Sequence, residues 1–142
     1  LVWTPVRGAG LEGNPNAMGI HPDDVKSMAV ATTKGIFATG DSGENFVRIV
    51  AGESTAVYYD MDGKHLWYGS YDGQARLTRA QLSGGPAVRI NLPPLPKDAV
   101  AYIAQNPAKR DEYAIATFGR SVYLTKNAGR TWTAIAERGQ GK

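Results

Sequence analysis

An internal repeat constrains this chain more than any local propensity. The segment Ile36-Phe37-Ala38-Thr39-Gly40-Asp41-Ser42-Gly43-Glu44-Asn45-Phe46 lines up with Val122-Tyr123-Leu124-Thr125-Lys126-Asn127-Ala128-Gly129-Arg130-Thr131-Trp132. The segments before them match as well. Ile20-His21-Pro22 precedes Ser27–Thr32, and Gln105-Asn106-Pro107 precedes Glu112–Thr117. With one residue inserted before Val122, the correspondence runs from Pro22 to Ile49 and from Pro107 to Ile135. Pro22 and Pro107 are 85 residues apart, and Gly43 and Gly129 are 86 apart. One unit between them sets the period at about 43, inside the ~40–45 residues of a four-stranded propeller blade.

The middle unit is weaker. Tyr58-Tyr59-Asp60, His65–Gly69, Ala75–Thr78 and Ala87–Ile90 are short, apolar-alternating pieces bounded by Gly, Asp or Pro, the signature of strands. Thr78–Gly85 occupies the place of the turn. At the N-terminus, Val2-Trp3-Thr4-Pro5-Val6 matches Thr131–Ile135. The expected fold is therefore all-β: a propeller segment of about three four-stranded antiparallel blades plus one extra N-terminal strand. Residues 1–7 form the last strand of a preceding blade, and the blades span 14–52, 53–95 and 96–139. Three blades fall short of the usual ring of 4–8. Further blades of the same protein, or a homo-oligomer, are expected to complete it. A chain that opens inside a repeat on Leu rather than Met is expected to be an excerpt of a longer protein.

Composition narrows the function classes. Of 142 residues, 42% are hydrophobic, and 17 Gly and 8 Pro suit a turn-rich β protein rather than a disordered one. There is no cysteine, which removes disulfides, thiolate metal sites and Cys nucleophiles. No apolar run reaches the ~18–20 residues of a membrane span. Net charge is +3, yet Lys and Arg are scattered and form no run, so nucleic acid is not an expected partner.

The turn residues have assignable physical roles. Asn127 can accept backbone N–H groups and close the turn. Gly129 can adopt positive φ, and Trp132 supplies a large apolar plug. The pattern resembles the Asp-box, or bacterial neuraminidase repeat, Ser-x-Asp-x-Gly-x-Thr-Trp. Thr125 takes the Ser position and Asn127 the Asp position, while Gly129, Thr131 and Trp132 match directly. In the first unit Thr39, Asp41 and Gly43 fit, with Asn45 and Phe46 replacing Thr and Trp. Together with Asn-Pro or His-Pro before a small-residue strand, the chain resembles propellers of the sortilin, xyloglucanase and photosystem II assembly-factor type. That resemblance implies a location outside the cytoplasm, either periplasmic or secreted, but no single activity, because the motif is architectural.

Few groups point to chemistry. Asp60-Met61-Asp62-Gly63 opens like a calcium loop, but Lys64 and His65 follow where further ligands belong, so a hairpin turn is the better reading. His21 and His65 are the only histidines and have no Cys or neighbouring His partner for a metal. No metal or cofactor is expected, and no catalytic residue is assigned. Asp23, Asp24, Asp41, Asp72 and Asp98 are candidates for a glycosidase carboxylate pair by type alone, and each also fits an ordinary turn. The loops between second and third strands are the better candidates. They would place Lys34, then Tyr71 with Asp72, then Phe118 with Arg120 on one rim, aromatic and charged groups suited to a carbohydrate or an acidic peptide. The expected function is a non-catalytic binding or assembly-scaffold module recognising a protein or carbohydrate through that rim. A fragment of a xyloglucanase- or sialidase-like glycoside hydrolase is the alternative.

Overall fold

The computed structural model describes residues 8–141, which form three antiparallel sheets and no helix. The first sheet holds β1 (Pro15–His21), β2 (Asp24–Thr32), β3 (Gly35–Thr39) and β4 (Val47–Ala51), in that order. The second holds β5 (Ser54–Tyr59), β6 (His65–Tyr71), β7 (Ala75–Gln81) and β8 (Val88–Ile90). The third holds β9 (Val100–Asn106), β10 (Lys109–Thr117), β11 (Val122–Thr125), β12 (Thr133–Glu137) and a fifth short strand, β13 (Gln140–Gly141). β13 falls outside the repeat pattern and folds back on β12 through Arg138 and Gly139, both at positive φ. The expected N-terminal strand, with Val2, Trp3 and Val6, lies outside the described residues. Among the described residues no helix is long and apolar enough to cross a membrane.

The sheets stack as blades, with β1 beside β5 and β5 beside β9. Strand alternation gives each sheet two faces, and side-chain size decides how closely they approach. Blade one presents Ala29, Ala31 and Ile36 to Val57, Tyr59 and Leu66 of blade two. The alanines keep that face flat, so the tyrosine and leucine seat fully. The other face of blade two carries Trp67 and Leu77 and packs on Val100, Ile103, Tyr113, Ile115 and Tyr123 of blade three. The outer face of blade three carries Ala104, Ala114, Ala116, Val122 and Leu124, with Tyr102 75% exposed. By the repeat alignment, Ala114, Ala116 and Val122 are the counterparts of Ala29, Ala31 and Ile36.

The two motif turns share one hydrogen-bond pattern. Thr39 Oγ1 accepts the N–H of Asp41 (3.2 Å) and of Gly43 (3.1 Å) and donates to Asp41 Oδ1 (2.6 Å). Thr125 Oγ1 accepts from Asn127 (3.3 Å) and Gly129 (2.9 Å) and donates to Asn127 Oδ1 (2.8 Å). The far residue is gathered the same way: Asn45 N–H reaches Asp41 Oδ1 at 3.0 Å and Thr131 N–H reaches Asn127 Oδ1 at 2.9 Å. Gly43 and Gly129 sit at φ 92° and 91°. A Cβ on Gly129 would run into Ile90 of blade two. Phe46 and Trp132 stand at equivalent places, each just before the fourth strand of its blade. Trp132 is half-buried, and its Nε1 donates to Asn91 O (2.7 Å) across the blade junction. In the middle blade, residues 82–87 make the connection without a hydroxyl–carboxylate pair.

These turns give a first expected outcome. Asn127→Ala should lower stability by about 1 kcal/mol, the net worth of a turn hydrogen bond. In the sister turn, hydrogen bonds from Thr39 and Asn45 hold the Asp41 carboxyl down to about 2. A depressed carboxyl contributes stability above its unfolded pKa of about 3.9, and loses it as pH falls through the folded value. Asp41→Asn should therefore lower the urea midpoint at neutral pH and flatten its fall between about pH 4 and pH 2. A variant as acid-sensitive as the parent would remove Asp41 from that role.

Candidate functional site

The rim is built by one backbone device used in each blade. The residue at or just after the end of the second strand donates its N–H to the residue leading into the first strand. Thr33 bonds Asn14 O (3.1 Å), Tyr71 bonds Glu53 O (3.1 Å) and Phe118 bonds Ala99 O (3.1 Å). Thr33, Tyr71 and Phe118 are thus equivalent positions, fixed where each loop leaves its sheet.

Two adjoining cavities open there. One, of about 450 Å³, is lined by Asn16, Glu53, Thr55, Tyr71, Lys97, Asp98, Ala99 and Phe118. Thr55 Oγ1 is buried in its wall without a hydrogen-bond partner. The other, a groove of about 650 Å³, runs from the proline linker Pro94–Pro96 past Phe118 and Arg120 to Arg138. Phe118, 59% exposed, belongs to both. Of the rim residues expected from sequence, Tyr71, Phe118 and Arg120 come together here. Lys34 and Asp72 line neither cavity. Lys34 packs by Gly13 in blade one, and Asp72 is held by Arg76 Nε at 3.0–3.1 Å.

Lys97 and Arg138 lie outside the rim expected from sequence, and Asp98, expected only as a candidate acid by type, lines both cavities. Lys97 and Asp98 follow the run Leu92-Pro93-Pro94-Leu95-Pro96, whose prolines fix φ and withhold N–H donors. That run was the available signal for a rigid exposed wall. Arg138 had none, because β13, which turns it into the groove, was not foreseen. The backbone is unusual at these cations. Five non-glycine residues among those described have positive φ: Ser42, Ala128, Lys97, Arg120 and Arg138. The first two are the equivalent positions of the motif turns. The other three are the cations of the groove. The left-handed region costs an L-residue about 1–2 kcal/mol relative to glycine's freedom there.

Four of the five acids expected as catalytic candidates have engaged carboxylates. Asp24 accepts from Lys26 N (3.1 Å) and Ser27 Oγ (2.8 Å). Asp98 Oδ1 accepts from Ala99 N (2.8 Å) and Gly119 N (2.9 Å). Asp23 lies against Gly63, Asp41 closes its turn and Asp72 is ion-paired. His21 accepts the N–H of Asp23 on Nδ1 and donates Nε2–H to Gly63 O, both at 3.0 Å, joining blades one and two.

The acid that matters most to the architecture is Asp60, which sequence placed only in a turn. It is 2% exposed. Its Oδ2 accepts from Tyr113 Oη and from Trp67 Nε1 (3.0 Å), and its Oδ1 accepts from Asp62 N (3.0 Å) and Gln105 Nε2 (3.3 Å). Burial pushes its pKa up, but these donors outweigh burial and hold it below the usual carboxylate range. Burial and the Asp60 charge push the Tyr113 phenol well above its ordinary value. Gln105 completes the set, accepting on Oε1 from Tyr58 Oη (3.2 Å) and Met61 N (2.9 Å). Arg79 stands 5.7 Å over the Trp67 ring. The cluster is closed off from solvent at its carboxylate and phenol, so it ties blade two to blade three.

No family model matches the chain, and no curated protein is similar to it. Solved structures are. YCF48 from Cyanidioschyzon merolae superposes with a TM-score of 0.67 at 20% identity, over 89% of this chain and 38% of that one. A structure of YCF48 bound to D1 peptide gives 0.67 at 15% identity, over 91% and 41%. The GH74 xyloglucanase from Xanthomonas campestris gives 0.66 at 17% identity, over 87% and 23%. The chain thus spans about two fifths of the YCF48 chains and less of the enzyme. It is a β-propeller segment that resembles propellers of the photosystem II assembly-factor and xyloglucanase kinds.

Proposed function

We propose that this chain is a non-catalytic binding module of a propeller, which recognises an extended peptide of a partner protein through the rim between blades two and three. The observation that carries this reading is the pair of adjoining cavities sharing the exposed Phe118, next to a rigid proline wall. One similar structure holds a peptide, which supports the same class of ligand. A glycoside hydrolase would need two free carboxyl groups facing a common cleft. Four of the five aspartates considered for that role, Asp24, Asp41, Asp72 and Asp98, instead have carboxylates engaged in hydrogen bonds or an ion pair, which favours binding over hydrolysis. The outer face of blade three supports completion by a further sheet, whether from a longer chain or a second copy, because its counterpart in blade one is covered by blade two.

The test is a binding and hydrolysis comparison on the whole chain. Extended peptides from a random library should bind, and Phe118→Ala should weaken them about tenfold, as for an exposed aromatic anchor, with an unchanged denaturation midpoint. Release of reducing ends from xyloglucan oligosaccharides would overturn the reading. Sedimentation should show association through the open sheet face, and a compact monomer would refute that part.

A further inference from the structure

We infer that the groove of Lys97, Arg120 and Arg138 is an oxyanion site for the carboxylates of an acidic, extended peptide; this rests on the peptide-binding reading above and gives it a charge preference. Three cations from three separate segments converge there: the linker before β9, the loop between β10 and β11, and the turn between β12 and β13. Among the described residues none of the three is ion-paired, whereas Arg76 and Arg79 both are. Asp98 and Glu137 also line the groove; Asp98 Oδ1 is turned to two backbone N–H groups, and Glu137 has a partner of its own. The loops that carry the cations are tied to one another. Gly139 N–H donates to Arg120 O at 2.7 Å, Arg138 N–H donates to Ser121 Oγ at 3.1 Å, and Gly119 N–H donates to Asp98. Such ties fix the backbone segments that carry the cations before a ligand arrives, which lowers the ordering cost of binding.

All three cations occupy left-handed backbone, where glycine would sit without strain. The hairpin between β12 and β13 requires positive φ at both of its turn residues, and a cation stands there where glycine is the usual choice. The remaining wall chooses among acidic ligands. Pro94, Leu95, Pro96, Phe118 and Tyr123 present apolar and aromatic surface along the groove. That surface fits the side chains of a peptide between its carboxylates better than it fits the hydroxyl-lined edges of an acidic glycan.

The strained backbone supplies a test that separates binding from folding. Arg120→Gly and Arg138→Gly remove the cations and relieve the backbone, so the denaturation midpoint should hold or rise. Affinity for a fluorescein-labelled Glu-rich peptide, measured by anisotropy on the full chain, should fall by about tenfold or more for each change. The Gln counterpart of the peptide should bind the parent as weakly as the Glu peptide binds the variants. Arg120→Gln and Arg138→Gln, which keep the Cβ, should reproduce the loss. Equal binding of Glu and Gln peptides would overturn the oxyanion site while leaving peptide recognition standing. Variants that bind like the parent would overturn it too. Tighter binding of oligogalacturonate than of the Glu peptide would reassign the groove to an acidic glycan. If none of these peptides binds, the inference and the reading beneath it fall together.

Discussion

Trp67→Ala should destabilise this protein by about 3–5 kcal/mol, the cost of truncating a fully buried aromatic in a packed core. Trp67 has no exposed surface and is the largest wholly buried side chain among the described residues. It stacks at 4.4 Å on Tyr113 of the next blade and fills the space between Leu77 and the blade-three strands. Its loss opens a cavity at a sheet-to-sheet junction, where two rigid faces cannot collapse onto each other. It also removes the indole donor from a buried carboxylate. Trp132 is the instructive contrast. It is half-buried, so its truncation should cost clearly less than that of Trp67. Urea midpoints of the two variants decide the point, and equal losses would mean that burial does not rank them.

Asp60→Ala should cost a comparable amount, about 3–5 kcal/mol. The change strands the Tyr113 hydroxyl hydrogen and the Trp67 N–H, removes one acceptor from Gln105 Nε2, and leaves Arg79 with Asp62 alone of its two carboxylate neighbours. Because these groups act together, the double variant Asp60→Ala/Tyr113→Phe should lose less than the sum of the single losses. The same cluster sets the pH range. Asp60 has a depressed pKa, so its contribution is present above the unfolded carboxyl value of about 3.9 and fades as pH falls below it. Tyr113 has a raised one, so its contribution is full below the unfolded phenol value of about 10 and is lost as pH climbs above. Stability should therefore show a plateau with both shoulders, and both should diminish in the double variant. Strict additivity, or shoulders unmoved by the substitutions, would rule out a coupled cluster.

The sequence carried the architecture because a propeller repeats its turn chemistry at fixed spacing. Thr39 with Asp41 and Thr125 with Asn127 could be matched by eye, and their hydrogen bonds are local, spanning two to four residues. Asp60 was legible only as a turn, because its decisive partners, Gln105 and Tyr113, lie 45 and 53 residues away. Nothing in Gln105 or Tyr113 alone advertises a carboxylate. On the rim, equivalent loop positions placed Tyr71, Phe118 and Arg120 in the right neighbourhood. Lys97 and Arg138 escaped because their placement depends on a linker and a hairpin outside the repeat. Left-handed backbone at a Lys or an Arg leaves no mark in composition at all.

The two blade junctions are joined by different kinds of bond, and this sets the order in which the stack would part under load. Blades one and two meet through a flat alanine face, with side-chain hydrogen bonds from Asn16 to Ser54 O and from His21 to Gly63 O. Blades two and three are tied by the buried Asp60, Gln105 and Tyr113 and again by Trp132 to Asn91. Apolar faces slide, whereas a buried carboxylate with fixed donors must break several directed bonds at once. Pulled from its ends, the segment would shear off blade one and keep blades two and three as a single mechanical body. The rim cavities belong almost wholly to that body, so the binding surface is carried by the part of the molecule that yields last.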